Sequence, residues 1–204
     1  MNRLGLWSAS ALCVIGVAYV VTLAVGFSSA GFAKPIVDPV LAVMEMLTLL
    51  SAPILVVLMA AVHAYAAPQY KVHSLVAFAF MVLMAGLTSS VHFVELTAVR
   101  QSATASLTWP STPYALELLA WDVFLGLSLL FAAPVFTAGK LESAVRAGLY
   151  VAGTLCMVGV LGPTSGEMRL QFIAVAGYAG VLPAVFLLLA MLFRSSGHRS
   201  PQSS

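Results

Sequence analysis

The chain reads as six long apolar runs separated by short polar breaks, at about 5–27, 39–66, 72–99, 113–136, 142–162 and 168–193. Each reaches or approaches the roughly 20 residues that a helix needs to cross a hydrocarbon core. The pattern predicts an all-α bundle of six transmembrane helices forming a single domain over residues 1–194. A polar tail over 195–204 is expected to be disordered. Local chemistry marks the ends. Asp38-Pro39 and Thr112-Pro113 each pair a capping side chain with a proline suited to the first helical position. Arg100 and Gln101 close the third run, where a cation suits the negative end of the helix dipole. Pro68, Pro110 and Pro163 fall in turns, whereas Pro53, Pro134 and Pro183 fall within or near the ends of runs. Gly31-Phe32-Ala33 has small residues that a signal peptidase accepts. The run from Leu4 to Phe27 is nevertheless longer than the roughly 7–15 residues of a signal core, so it is read as the first span.

Composition agrees with that pattern. Of 204 residues, 61% are hydrophobic and 8% charged, against about 25% charged in a soluble domain. The net charge of +2 comes without a basic cluster, so no nucleic-acid partner is expected. Cys13 and Cys156 both sit in apolar runs and read as buried thiols. With the N-terminus in the cytoplasm, Arg3, Lys71, Lys140, Arg146, Arg194 and Arg199 collect inside and Lys34, Arg100 and Arg169 outside. This asymmetry predicts that both termini are cytoplasmic. Trp109, in the longest loop, then suits an interfacial aromatic belt.

Four carboxylates interrupt the runs: Glu45, Glu95, Glu117 and Asp122. An acid at membrane depth costs roughly 2.5–3.5 kcal/mol on insertion scales, so it is expected to face a protein interior and to mark function. At 1.5 Å per residue, Glu45 lies about 9 Å from the loop end of its span, Glu95 about 6 Å, Glu117 about 6 Å and Asp122 about 13 Å. All four therefore fall in the same half of the bilayer, whichever way the protein is inserted. Thr88, His92 and Glu95 follow i, i+4, i+7 and share a face, which lets His92 hydrogen-bond Glu95. Asp38 and Glu45 also share a face. At 100° per residue Glu117 and Asp122 point about 140° apart, so one is expected to face a chamber and the other a neighbouring helix. The plainer alternative is interhelical glue, worth about 0.6 kcal/mol per contact on average. For Glu95 another alternative is an ion pair with Arg100. His63 and His73 flank the turn around Pro68 and read as interfacial, while Glu142 and Glu167 sit at helix starts.

Aromatic residues accompany the acids: Phe93, Tyr114 and Trp121 beside them in sequence, and Tyr19, Phe172 and Tyr178 at similar depth on the first and sixth spans. Acids that protonate a substrate and ring faces that stabilise a cation form a coherent set. The sequence has no HExxH, G-x-S-x-G, Walker loop or G-x-G-x-x-G, and His92 is the one histidine at chamber depth. No metal, nucleotide or other cofactor is expected.

Two stretches, Val91-His92-Phe93-Val94-Glu95-Leu96-Thr97-Ala98-Val99-Arg100 and Leu116-Glu117-Leu118-Leu119-Ala120-Trp121-Asp122 through Phe131-Ala132-Ala133-Pro134-Val135-Phe136, resemble a bacterial family of small integral-membrane proteins. In size, span count and membrane acids the chain also resembles the integral-membrane terpene cyclases of bacterial and fungal meroterpenoid pathways. That resemblance implies a bacterial cell-membrane enzyme that cyclises a prenyl chain on a lipophilic core, using embedded Glu and Asp for protonation. The DxDD motif of soluble protonation-type cyclases is absent.

The sequence thus points to a terpene cyclase. Its expected partners are the bilayer and a lipophilic prenylated small molecule. Asp122 is expected as the acid, and Glu95 with His92 as base or relay; Glu117 and Glu45 complete the set. Trp121, Phe93, Tyr114, Tyr19, Tyr178 and Phe172 are expected to hold the substrate. The alternatives are a proton-coupled small-molecule carrier or binder using the same acids, and a structural membrane subunit.

Overall fold

A computed structural model describes residues 2–31, 36–102 and 107–196, which contain helices and no strand. Six helical spans are long and apolar enough to cross a membrane: α1 (Arg3–Ser29), α2 (Val40–Tyr65), α3 (Pro68–Val99), α4 (Thr112–Val135), α5 (Gly139–Ser165) and α6 (Met168–Ser195). An even number of spans places the first and last described residues at one end of the bundle. The loops carrying Asp38, Arg100 and Arg169 lie at the other. The last helix runs on through Ser196, so the expected polar tail begins later than Ser195. Its remainder, 197–204, and the Phe32 and Ala33 of the cleavage reading lie outside the described residues.

The helix starts follow the expected chemistry one residue out of step. Helix α2 opens at Val40 with Pro39 in the cap position, and the Ala42 amide donates to Asp38 Oδ1 at 3.2 Å. Helix α4 is capped by Ser111, not Thr112: the Tyr114 amide donates to Ser111 Oγ at 3.3 Å and Thr112 is already helical. Ser111 holds the extended backbone that a cap requires, at φ −142° and ψ 156°. Glu142 Oε2 accepts from the Thr137 and Ala138 amides at 2.8 and 2.7 Å, covering donors that the start of α5 leaves open.

Neighbours in sequence are neighbours in space. Helix α1 packs on α2, α2 on α3, α3 on α4, α4 on α5 and α5 on α6, and α6 returns to α1. Near the chain termini the ring is solid, with Leu58, Val62, Met81, Leu129, Phe136, Leu149 and Phe193 almost wholly buried. Helix α5 fits closely because glycines face its neighbours. A Cβ on Gly153 would sit 2.9 Å from the Gly126 carbonyl of α4, and one on Gly177 of α6 would sit 2.9 Å from the Ala152 carbonyl. Without lipid-excluding force between helices, such close backbone approach supplies much of the association. Gly159 abuts Ala174 in the same way. Gly159→Val forces overpacking there and costs about 1–3 kcal/mol. Each kcal/mol lowers the melting temperature by about 2–4 °C in a chain of this size. A thermal scan in detergent showing no loss refutes the α5–α6 contact.

Candidate functional site

Toward the Arg100 end the ring opens into a cavity of about 950 Å³, at the upper end of the roughly 300–1,000 Å³ usual for small-molecule sites. Its walls come from α1, α2, α4 and α6 and the last turns of α3. None of the lining residues comes from α5, which stands behind α4 and α6 as a buttress.

Three of the four membrane acids reach this space: Glu45, Glu95 and Glu117. His92, Trp121, Tyr114, Tyr19, Tyr178 and Phe172 line it as well. Asp122 and Phe93 are not among the lining residues. Phe93 is 61% exposed on the lipid-facing side of α3, since one residue's rotation along a helix carries it away from His92. Asp122 is 0% exposed, enclosed near Cys156 of α5 and Gln171 of α6. Of this pair, Glu117 borders the cavity and Asp122 is buried among helices.

Three spans leave α-helical geometry at this level. The segments Glu95–Val99, Leu119–Phe124 and Ala176–Val181 are π-helical. Such i→i+5 turns are rare and tend to sit at functional sites. Each holds a residue named from sequence: Glu95, the Trp121–Asp122 pair, and Tyr178. The wider turns void the 100° arithmetic applied to α4, and they re-aim side chains that regular helices would point elsewhere. The Trp121 and Tyr178 rings meet at 5.2 Å between centroids, inclined by 57°.

One hydrogen-bonded chain orders the α3–α4 wall. The Trp121 indole donates to Thr88 Oγ1 at 3.0 Å, and the Thr88 hydroxyl donates to Glu117 Oε1 at 2.7 Å. An indole N–H only donates, and a hydroxyl has a single hydrogen, so this chain runs one way, toward Glu117. His92 Nε2 meets the same oxygen at 2.8 Å. This corrects the expected His92–Glu95 bond: α3 packs against α4, and the facing helix offers a nearer carboxylate than the next turn. The two side chains share one proton position between Nε2 and Oε1, while His92 Nδ1 and Glu117 Oε2 make no hydrogen bond among the described residues.

Glu45 and Glu95 form the other acidic wall, 3% and 5% exposed and close enough for their charges to interact. Glu95 Oε1 has no hydrogen-bond partner among the described residues. Glu45 Oε2 has Arg100 Nη2 at 3.5 Å, beyond good hydrogen-bond length. Arg100 pairs more closely with Asp38 Oδ1, at 2.8 Å, so the ion pair contemplated for Glu95 goes to the start of α2 instead. Arg100 lies just past α3, and its pKa is raised above the ordinary guanidinium value. The Asp38 hydrogen bond is the main cause and outweighs partial desolvation. Other wall polar groups are satisfied locally: Thr48 Oγ1 donates to the Met44 carbonyl at 3.0 Å and Ser51 Oγ to the Thr48 carbonyl at 2.8 Å.

Sequence reasoning passed over Gln171, whose amide donates to the Tyr178 hydroxyl at 3.3 Å. The signal was present, because a polar residue seven positions before Tyr178 shares its face. It also passed over Phe27, whose ring meets Phe172 at 6.2 Å, and over Asp38 and Arg100 as cavity residues. Among the described residues there is no group of three or more His, Cys, Asp or Glu side chains arranged to hold a metal ion. Comparison with protein-family models, curated proteins and solved structures gave no match.

Proposed function

We propose that the chain is an integral-membrane terpene cyclase, in which the cavity folds a prenyl chain and Glu95 protonates it. The observation carrying this reading is the meeting, inside one apolar-walled chamber, of a buried carboxyl whose Oε1 makes no hydrogen bond among the described residues, a hydrogen-bonded Glu117–His92 pair and the rings of Trp121, Tyr114, Tyr19 and Tyr178. In this scheme Glu95 starts the cycle as the neutral acid, its buried Oε1 making no hydrogen bond among the described residues. It passes that proton to an alkene carbon or epoxide oxygen, leaving a carbocation on the substrate. The faces of Trp121, Tyr114, Tyr19 and Tyr178 stabilise the cation through their quadrupoles. A new carbon–carbon bond forms as a second alkene attacks. Glu117, with His92, then removes a proton from the carbon beside the final cation, restoring an alkene. One proton enters and one leaves, so the reaction needs no oxidant or reductant.

The role expected for Asp122 passes to Glu95 in this scheme, because Glu95 and not Asp122 borders the space where a substrate fits. A proton-coupled carrier fits less well. Beyond Leu12, Leu55 and Phe186 the bundle is closed by the apolar core around Leu58, Val62 and Met81, so the polar wall does not continue toward the termini. The positive-inside rule, with six Lys and Arg against three, supports an orientation with the termini in the cytoplasm.

The test is incubation of membranes containing the protein with linear prenylated substrates, followed by mass spectrometry and chromatography. An isomer of unchanged mass and fewer double bonds supports cyclisation. Transport of the same compounds into liposomes without a new product instead supports a carrier.

A further inference from the structure

The cavity is chemically graded along its length. At its mouth, Asp38 and Arg100 are partly exposed and paired at 2.8 Å, and Trp109, whose ring meets Tyr114 at 6.1 Å, also lines the cavity. About 8–12 Å further in, by helical rise, come Glu45, Glu95, Glu117 and His92. Tyr19 and Tyr178 follow at about 15 Å. The floor, about 22–27 Å from the loop ends of α1, α2 and α6, is built of Leu12, Leu55, Leu182 and Phe186. Those floor residues offer no side-chain hydrogen bond.

We propose that the Arg100–Asp38 pair is the binding site for the polar head of the substrate, that the head is uncharged and hydrogen-bonding, and that the hydrocarbon points to the floor. The inference rests on the chamber being a substrate site. Its physical basis is the pairing itself. Arg100 is the only Lys or Arg among the described lining residues, and two carboxylates already face it, Asp38 at 2.8 Å and Glu45 at 3.5 Å. An anionic head meets Asp38 and Glu45, and a cationic head has to share those carboxylates with Arg100, so either charge enters against a like charge already in place. A hydroxyl, phenol or amide both donates and accepts, and can use the carboxylate and the guanidinium together. The floor allows no second head, so the substrate has one polar end and one way to enter. Arg100 and Asp38 are therefore specificity-determining residues that fix which stretch of chain lies beside Glu95.

The experiment measures equilibrium binding of four probes to the full-length protein in detergent: geranylgeraniol, geranylgeranylamine, geranylgeranyl diphosphate and a matched isoprenoid hydrocarbon without a head. Geranylgeraniol is expected to bind about tenfold or more tightly than each of the others. Arg100→Gln and Asp38→Asn, made separately so that either alone gives a reading, should each reduce its advantage over the hydrocarbon to about threefold or less. Amine or diphosphate binding as tight as the alcohol overturns the proposal. So does a preference that survives both substitutions, or the absence of saturable binding by all four. The same preference should persist in Glu95→Gln, which leaves the mouth intact. Preferred binding without any product counts against cyclisation and leaves head selection standing. Equal turnover of headless and alcohol substrates does the reverse.

Discussion

Glu95→Gln lowers turnover of a verified substrate by about 100-fold or more, the usual scale of a general-acid contribution, while the protein folds and melts as before. Glutamine keeps the size and most of the polarity of glutamate and lacks only the transferable proton. At 5% exposure, with Oε1 unpartnered among the described residues, the side chain offers little for the amide to break. Asp122→Asn is the control. Asp122 lies off the cavity near Cys156 and Gln171, so its amide variant retains most of its turnover. The reverse order of losses, measured as initial rates on protein of matched stability, returns the acid role to Asp122. Equal loss of folded protein in both variants supports a structural role for the acids.

Glu117→Gln produces the second large loss, again about 100-fold, by removing the group that takes the last proton. Here the structure supplies a finer gradation. Thr88→Val deletes one hydrogen bond to Oε1 and leaves Glu117 in place. A bond worth about 1–1.5 kcal/mol corresponds to about tenfold in rate. Trp121→Phe retains a ring face for the cation but removes the indole N–H that orients Thr88. Its effect should not add fully to that of Thr88→Val, because both act through one chain. Full additivity in the double variant means that the chain does not operate as a unit.

The helical spans were legible because crossing hydrocarbon demands long apolar runs, and nothing subtler is needed to see them. The shared depth of the acids was legible too, since helical rise converts sequence position directly into distance. Direction was not. Phe93 sits between His92 and Glu95 in sequence, yet it points to lipid, because neighbours on a helix never share a face. His92 bonds Glu117 on the facing helix, a partner 25 residues away that periodicity within α3 cannot reveal. The π-helical turns at Glu95–Val99 and Leu119–Phe124 add to the difficulty, as no short motif marks where an i→i+5 turn interrupts a regular helix. Arg100 was read as a favourable charge at a helix end, which it remains. Its grip on Asp38 depends on how the start of α2 meets the end of α3, and that is a tertiary fact.

The contrast between the solid end of the bundle and its hollow end bears on how the protein would be handled. Floor and buttress are assembled without help from the chamber, so the fold does not wait for an occupant. Whatever fills the chamber binds the folded state alone and raises its melting temperature in proportion to the logarithm of its concentration. Thermal stability then becomes an assay that works before any reaction is identified. Lipid fractions can be ranked by the temperature they add, and a fraction that protects wild type but not a protein with Leu55→Trp, which plugs the floor, contains a molecule long enough to reach it.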